Sequence, residues 1–157
     1  MQRPWNIPSL AVYSLATYEK GKVNMNICTY VSAVSMRPKR YAIAVFHGTK
    51  TLENLNLNKN AVLQLLGEEQ YPLVRVLGKT SGKRFDKSEW LSKRNRTIQW
   101  KGHTVLKDAS AYIQLSYHSE INAGDHHLYI FDVMAYKSNS EHILTTEILS
   151  QKKLIRI

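Results

Sequence analysis

Three groups of side chains in this sequence have the types and spacing to do chemistry. Thr49-Lys50-Thr51 stands just ahead of a stretch, Leu52 to Asn58, that reads as a short helix. Two hydroxyls and an ammonium at a helix N-terminus, where backbone N–H groups lack partners, make an anion site. The second group lies in the run Met25 to Val34, where Met25, Ile27, Thr29, Val31 and Ala33 alternate with Asn26, Cys28, Tyr30 and Ser32. That is the pattern of a strand with one face in a core. Its other face carries small polar side chains instead of the Lys or Glu expected toward water, so a flat ligand could approach closely. The third is His126, which follows Gly124-Asp125 and opens an apolar run through Leu128-Tyr129-Ile130-Phe131.

Each group has a plainer reading. Thr49 and Thr51 read from the residues alone as helix caps. A helix terminus contributes at most about 2 kcal/mol, whereas micromolar binding needs roughly 8 kcal/mol, so an anion site there needs a buried partner surface as well. Cys28 has no base at a recognisable spacing and reads as a small residue lining a strand face, not as a nucleophile. His126 reads equally as an ordinary hydrogen-bonded strand histidine. His126 and His127 face opposite ways on a strand, and His47, His103, His118 and His142 show no ligand spacing, so no metal site is expected. Ser32 and Ser35 lie in no G-x-S-x-G elbow, which argues against a hydrolase, and no G-x-G-x-x-G opens a Rossmann nucleotide site.

The elements that must position these groups are mostly strands. Leu10 to Tyr18 reads as a strand, and Glu19-Lys20-Gly21-Lys22 as a hairpin turn into the run from Met25. Ser35-Met36-Arg37-Pro38 turns into a second apolar run, Tyr41 to Phe46, which ends at His47-Gly48. Ala61 to Leu66 reads as a buried strand and Glu68 to Leu77 as a helix stopped by Gly78. Asp86-Lys87-Ser88-Glu89 is an N-cap pattern for a short helix carrying Trp90 and Leu91. Ala111 to His118 and His126 to Lys137 alternate as strands joined across Ile121–Asp125, and the second should be central because both its faces are apolar. A last short helix falls near Thr145–Lys152, and the alternating tail Leu154-Ile155-Arg156-Ile157 should be docked. At least six strands on short turns point to a mainly β, antiparallel barrel, which removes exposed edges.

A length of 157 residues suits one domain, expected over 1–157, and 43% hydrophobic with 22% charged residues is ordinary for a globular chain. One cysteine excludes an internal disulfide framework. The N-terminus lacks an apolar leader and no run is long enough to span a bilayer, so a cytoplasmic location is expected. The net charge of +10, from 22 Lys plus Arg against 12 Asp plus Glu, asks for an anionic partner or serves as a solvated surface. Much of the excess lies in Lys79–Lys107 and Lys152–Arg156. Trp90, Trp100 and Tyr112 among these lysines leave open a nucleic-acid-binding barrel as the lesser alternative.

The ordered set Asn26, Thr29, Ser32, Ser35 and Pro38, an N-x-x-T-x-x-S-x-x-S-x-x-P pattern, joins Lys50-Thr51 and Gly124-Asp125-His126 in one series. That series resembles the flavin reductase-like family of FMN-binding split barrels, from about Asn6 to Val133. The resemblance implies a split β-barrel of Greek-key character with a few short helices, a homodimer, and FMN bound non-covalently near the subunit interface. It further implies hydride transfer from NADH or NADPH to the flavin, with electrons passing on to free flavin, oxygen or a partner protein. A carrier of electrons with no nicotinamide activity of its own is the alternative. The candidate flavin contacts are then Asn26, Cys28, Thr29, Tyr30, Ser32 and Ser35 around the ring and ribityl chain, and Thr49, Lys50 and Thr51 at the phosphate. His126 is the catalytic candidate beside the nicotinamide. The alternation puts Thr29 on the core face, against the role the resemblance gives it. The basic stretch Lys79–Lys107 matches no part of this pattern.

Overall fold

Two-residue Lys-Gly turns set the first and last of the tight reversals in the N-terminal two-thirds of the chain. The computed structural model describes residues 1–156. In it β1 (Tyr13–Glu19) and β2 (Lys22–Met25) are joined by Lys20 and Gly21, at φ 47° and 75°. A turn with both central residues at positive φ matches the twist of paired strands. β3 (Val31–Met36) and β4 (Lys39–Phe46) form a second hairpin, followed by α1 (Lys50–Leu57) and β5 (Asn60–Leu65). Then come α2 (Leu73–Lys79), α3 (Lys87–Lys93) and a short hairpin of β6 (Thr97–Trp100) and β7 (His103–Leu106). Its turn, Lys101-Gly102, repeats the first one at φ 49° and 77°. β8 (Ala111–Asn122), β9 (His126–Ser138) and α4 (Thr146–Gln151) complete the order.

Seven strands make one antiparallel sheet in the order β2-β1-β5-β8-β9-β4-β3, and β6-β7 stands apart. The chain between β2 and β3 closes that sheet. Tyr13 and Cys28 exchange backbone hydrogen bonds at 2.9 and 2.8 Å, and Ala44 N–H donates to Tyr30 O at 3.0 Å. Residues 28–30 therefore lie between β1 and β4, and the sheet curls into a barrel from which β2 and β3 splay. This is the mainly β, antiparallel split barrel expected from the sequence.

Two hydrophobic clusters follow from the closure. Leu15, Ile43, Leu63, Leu115, Tyr129 and Phe131 fill the barrel. Ala16 and Val62, from the opposite faces of β1 and β5, and the flanking Val12 and Leu66 pack under α2, α3, α4 and the β6-β7 hairpin with Leu77, Leu91, Leu106 and Leu149. Covering both faces explains why Ala61 to Leu66 is a nearly unbroken apolar run rather than an alternating one.

Several expectations change. The strand read from Met25 to Val34 is broken, because the Asn26 Oδ1 accepts the Leu15 N–H at 2.8 Å in place of a main-chain partner. A side chain that satisfies the neighbouring backbone releases its own segment from the ladder. The helix read over Glu68–Leu77 is two pieces, a 3-10 turn at Glu68–Gln70 and α2, with Pro72 at the α2 N-cap. α1 starts at Lys50, two residues earlier than read, capped by Thr49. β9 is central as expected, between β8 and β4, yet its Tyr136 is 75% exposed. In the tail Leu154 is buried against the outer cluster, and Ile157 lies outside the described residues.

Leu63 sits fully buried inside the barrel. Leu63→Ala should lower unfolding free energy by about 2–5 kcal/mol, read by urea denaturation. Leu57→Ala, on an exposed side chain, should stay within about 0.5 kcal/mol of wild type.

Candidate functional site

The break at Asn26 opens a cleft of about 530 Å³ against one end of the barrel. Its floor is Asn26 to Tyr30, and one wall is the end of β4 running into α1, from Ala44 to Thr51. The opposite wall is the end of α2 and the loop beyond it, Leu77 to Gly82, with Lys87 below and His126 at the mouth.

The α1 end of the cleft is set by a tight turn and a helix cap. Gly48 turns the chain at φ 76°, and Thr49 caps the helix, accepting from Leu52 N–H at 3.2 Å while its hydroxyl donates to Phe46 O at 2.9 Å. The N–H groups of Lys50 and Thr51 have no acceptor among the described residues. Buried Thr51 accepts from Asn24 Nδ2 at 3.2 Å, and Asn54 Nδ2 donates to Thr17 Oγ1 at 3.1 Å, which pins α1 to the β1-β2 hairpin. Lys50 is not a free cation. Its Nζ is paired with Glu19 and lies 3.7 Å from Glu53, and Lys83 holds the other side of Glu53 at 2.9 Å. The Glu19 hydrogen bond holds the Lys50 ammonium above the usual lysine range, and Lys83 holds Glu53 below the usual carboxylate range.

Lys87 is the buried charge of the site. Only 5% exposed, it donates to Met25 O at 3.1 Å and Leu77 O at 2.7 Å. No carboxylate reaches it among the described residues, and desolvation pushes it down to about 8. Cys28 has the opposite character: burial pushes its thiol up to about 12, so it is a neutral wall group at physiological pH. At the mouth, His126 lies between Tyr30 and Phe46, with ring centroids 5.5 and 5.2 Å away. Its Nδ1 is 2.6 Å from Asp125 Oδ1. With Nδ1–H donating to that carboxylate, a neutral ring keeps Nε2 as an acceptor.

Of the candidates read from the sequence, Asn26, Cys28, Thr29, Tyr30, Thr49, Lys50, Thr51 and His126 line this one cleft. Thr29 joins them because the segment is not a regular strand, so alternation does not govern it. Ser32 and Ser35 do not line the cleft. They lie on β3, past the break, where Ser32 Oγ donates to the neighbouring Ala33 O at 3.2 Å. Sequence reasoning missed Asn24, the Thr80–Gly82 loop and Lys87 as cleft residues. Lys87 read as part of a capping pattern, and that pattern holds, since Asp86 Oδ1 accepts from Glu89 N–H at 2.9 Å; Ser81 and Gly82 open a turn in which Arg84 N–H donates to Ser81 O at 3.2 Å. Nothing in the spacing says that this turn folds over α1. Trp100 and Tyr112 do not form an open stacking platform: they pack on each other at 5.5 Å, with Tyr112 buried.

Residues 9–149 match the flavin reductase like domain. The chain belongs to that family, which supports a flavin-binding or flavin-reducing role. A comparison with curated proteins finds no match. Among solved structures, an FMN-binding protein from Thermus thermophilus superposes with a TM-score of 0.77 at 18% identity, over 88% of this chain and 75% of that one. The flavoredoxin of Methanosarcina acetivorans does so with 0.77 at 17% identity, over 92% and 77%. The flavin reductase PheA2 in its native state does so with 0.72 at 25% identity, over 85% and 82%. No helix is long and apolar enough to cross a membrane among the described residues.

The pH dependence of stability tests the burial of Lys87. With a folded value of about 8 against the usual 10.5, the unfolded chain holds the extra proton through that window, so stability rises as pH rises from about 8 toward 10. Urea denaturation at pH 7.5 and 9.5 should show wild type gaining stability relative to Lys87→Met. Parallel pH profiles would place the ammonium in water.

Proposed function

We propose that the cleft binds FMN non-covalently and that the protein is an NAD(P)H-dependent flavin reductase acting as a homodimer. The observation that carries this reading is the join of two unlike surfaces in one cleft. Unpaired N–H groups of a helix start meet a floor of small polar and sulfur side chains that lies open to a planar ring. The cleft volume of about 530 Å³ is within the range of roughly 300–1,000 Å³ usual for small-molecule and cofactor sites. The phosphate goes to the N–H groups of Lys50 and Thr51, the Thr49 hydroxyl and the Lys50 ammonium, and the ring to Asn26, Cys28, Thr29 and Tyr30.

A bound flavin supplies the hydride-accepting chemistry, and the protein's part is to bind, orient and shield it. The Lys50–Glu19 pair holds the ammonium in place, so a phosphate gains an oriented donor rather than a flexible one. Neutral Cys28 adds no charge under the ring. His126, steadied by Asp125 and set between Tyr30 and Phe46, borders the nicotinamide. The pairing of two copies is supported by β3, an edge strand carrying exposed Val34 and Met36, the latter 82% exposed. Unprotected apolar edges of this kind are ordinarily covered. Sedimentation should accordingly report a dimer at micromolar protein.

Titration with FMN should turn the protein yellow with a shifted visible spectrum; a protein that ignores FMN refutes the reading. Lys50→Ala should weaken FMN by roughly 10- to 150-fold, the value of one charge-assisted hydrogen bond, with riboflavin little changed. Equal losses would place the phosphate elsewhere. Anaerobic NADH or NADPH should bleach the bound flavin. Bleaching with neither donor would favour an FMN-binding electron carrier.

A further inference from the structure

The antiparallel order brings the starts of β1, β4 and β8 and the ends of β5 and β9 to one end of the barrel, away from Phe46 and His126. A hollow of about 500 Å³ opens there, and it shares no lining residue with the cleft. Its inner walls are Tyr13, Tyr41, Ile113 and Val133, all half-buried and packed against the barrel cluster. Tyr136, 75% exposed, lines its outer part with the exposed Lys39 and Lys137.

The chemistry of this lining is one-sided. No carboxylate lines it, and neither Lys39 nor Lys137 is paired with one among the described residues. The hydroxyls of Tyr13 and Tyr41 have no hydrogen-bond partner among the described residues, whereas that of Tyr112, which also lines the hollow, donates to Leu106 O. Burial first, then the neighbouring Tyr41 and Cys28, holds the Tyr13 phenol above its usual range, so it is a donor and not an anion. The hollow thus offers phenolic donors and two ammonium groups around an apolar, aromatic interior. A small hydrophilic anion would not use the Ile113 and Val133 surface, and a neutral aromatic would not use the two cations. A flat aromatic body carrying one carboxylate uses both, through ring packing on the tyrosines and charge-assisted hydrogen bonds at the outer part. The volume is within the roughly 300–1,000 Å³ usual for such ligands.

We propose that this hollow binds an aromatic carboxylate, with its ring system against Ile113, Val133 and the tyrosines and its carboxylate toward Lys39 and Lys137. The inference does not rest on the flavin reading, because the hollow and the cleft have no residue in common. Lys39 and Lys137 are exposed, so Lys39→Gln/Lys137→Gln removes both charges without opening the core.

Wild type and the double variant are titrated by calorimetry with naphthoate and with its neutral counterpart naphthamide, with and without saturating FMN. Naphthoate should bind wild type roughly tenfold or more tightly than naphthamide, the value of a charge-assisted hydrogen bond. The double variant should bind the two compounds alike. Ala111→Phe, which narrows the hollow, should weaken both, with a cooperative urea transition to show that it folds. FMN should leave naphthoate binding unchanged; competition between them would put naphthoate in the cleft and overturn the proposal. If FMN itself fails to bind, the flavin reading falls, while loss of naphthoate affinity in the double variant still supports the hollow. Equal affinity of wild type for naphthoate and naphthamide overturns the proposal, as does binding of neither. Should neither bind wild type while Lys39→Gln/Lys137→Gln changes its sedimentation from dimer to monomer, the hollow belongs to a second copy of the chain instead.

Discussion

One hydrogen bond decides where this barrel opens. The Leu15 N–H is buried in a strand whose next neighbour should be the chain after β2, and it must be satisfied. The Asn26 side chain satisfies it at 2.8 Å. Met25 is thus the last residue of β2, and the following residues are free to cross over and pair once more with β1 at Cys28. A main-chain partner at that position would have carried the strand straight on, leaving no gap between β1 and β4 for a cleft to occupy. Closure of the barrel and the floor of the cleft are two consequences of the same substitution of amide for peptide.

The wall at α1 depends on a second polar device. A helix of eight residues has little intrinsic stability, and its N-terminus is useful only if its position is fixed. Asn24, Thr51, Asn54 and Thr17 link it to the β1-β2 hairpin by side-chain hydrogen bonds, at 3.2 Å for Asn24–Thr51 and 3.1 Å for Asn54–Thr17. All four are buried, so each bond is protected from exchange with water and costly to leave unmade. Leu55, on the inner side of α1, adds its packing inside the barrel cluster.

Much of this architecture was legible in the sequence, and the illegible parts share a physical cause. Alternation in β8 and β9, the apolar run of β5, and the Asp86 and Thr145 caps are local signals, and each is present where local chemistry put it. The β6-β7 hairpin was legible too: Lys101-Gly102 repeats the Lys20-Gly21 turn, and Thr97 to Trp100 and His103 to Leu106 flank it. Its signal is weak because its strands are four residues each and sit among basic residues. What local pattern could not reveal was Asn26 acting on Leu15, eleven residues away. That long-range bond moved Thr29 into the cleft and Ser32 and Ser35 out of it. Lys87 was hidden for a similar reason, since its two carbonyl partners come from β2 and α2.

The basic stretch from Lys79 onward, which matched no motif, acquires a physical role from one glycine. A Cβ on Gly82 would overlap Asn24 Oδ1 and crowd the Lys50 Cβ at 3.1 Å. The backbone can thus lie directly against the α1 end only with no side chain at that point. That contact brings Lys83 to Glu53 and sets Arg84 and Phe85 facing the β1-β2 turn. The loop's charge is therefore not spread over a general surface. It is concentrated where the helix start, the buried ammonium of Lys87 and the hairpin meet, a position at which positive potential adds to that of the free N–H groups instead of being dispersed into solvent.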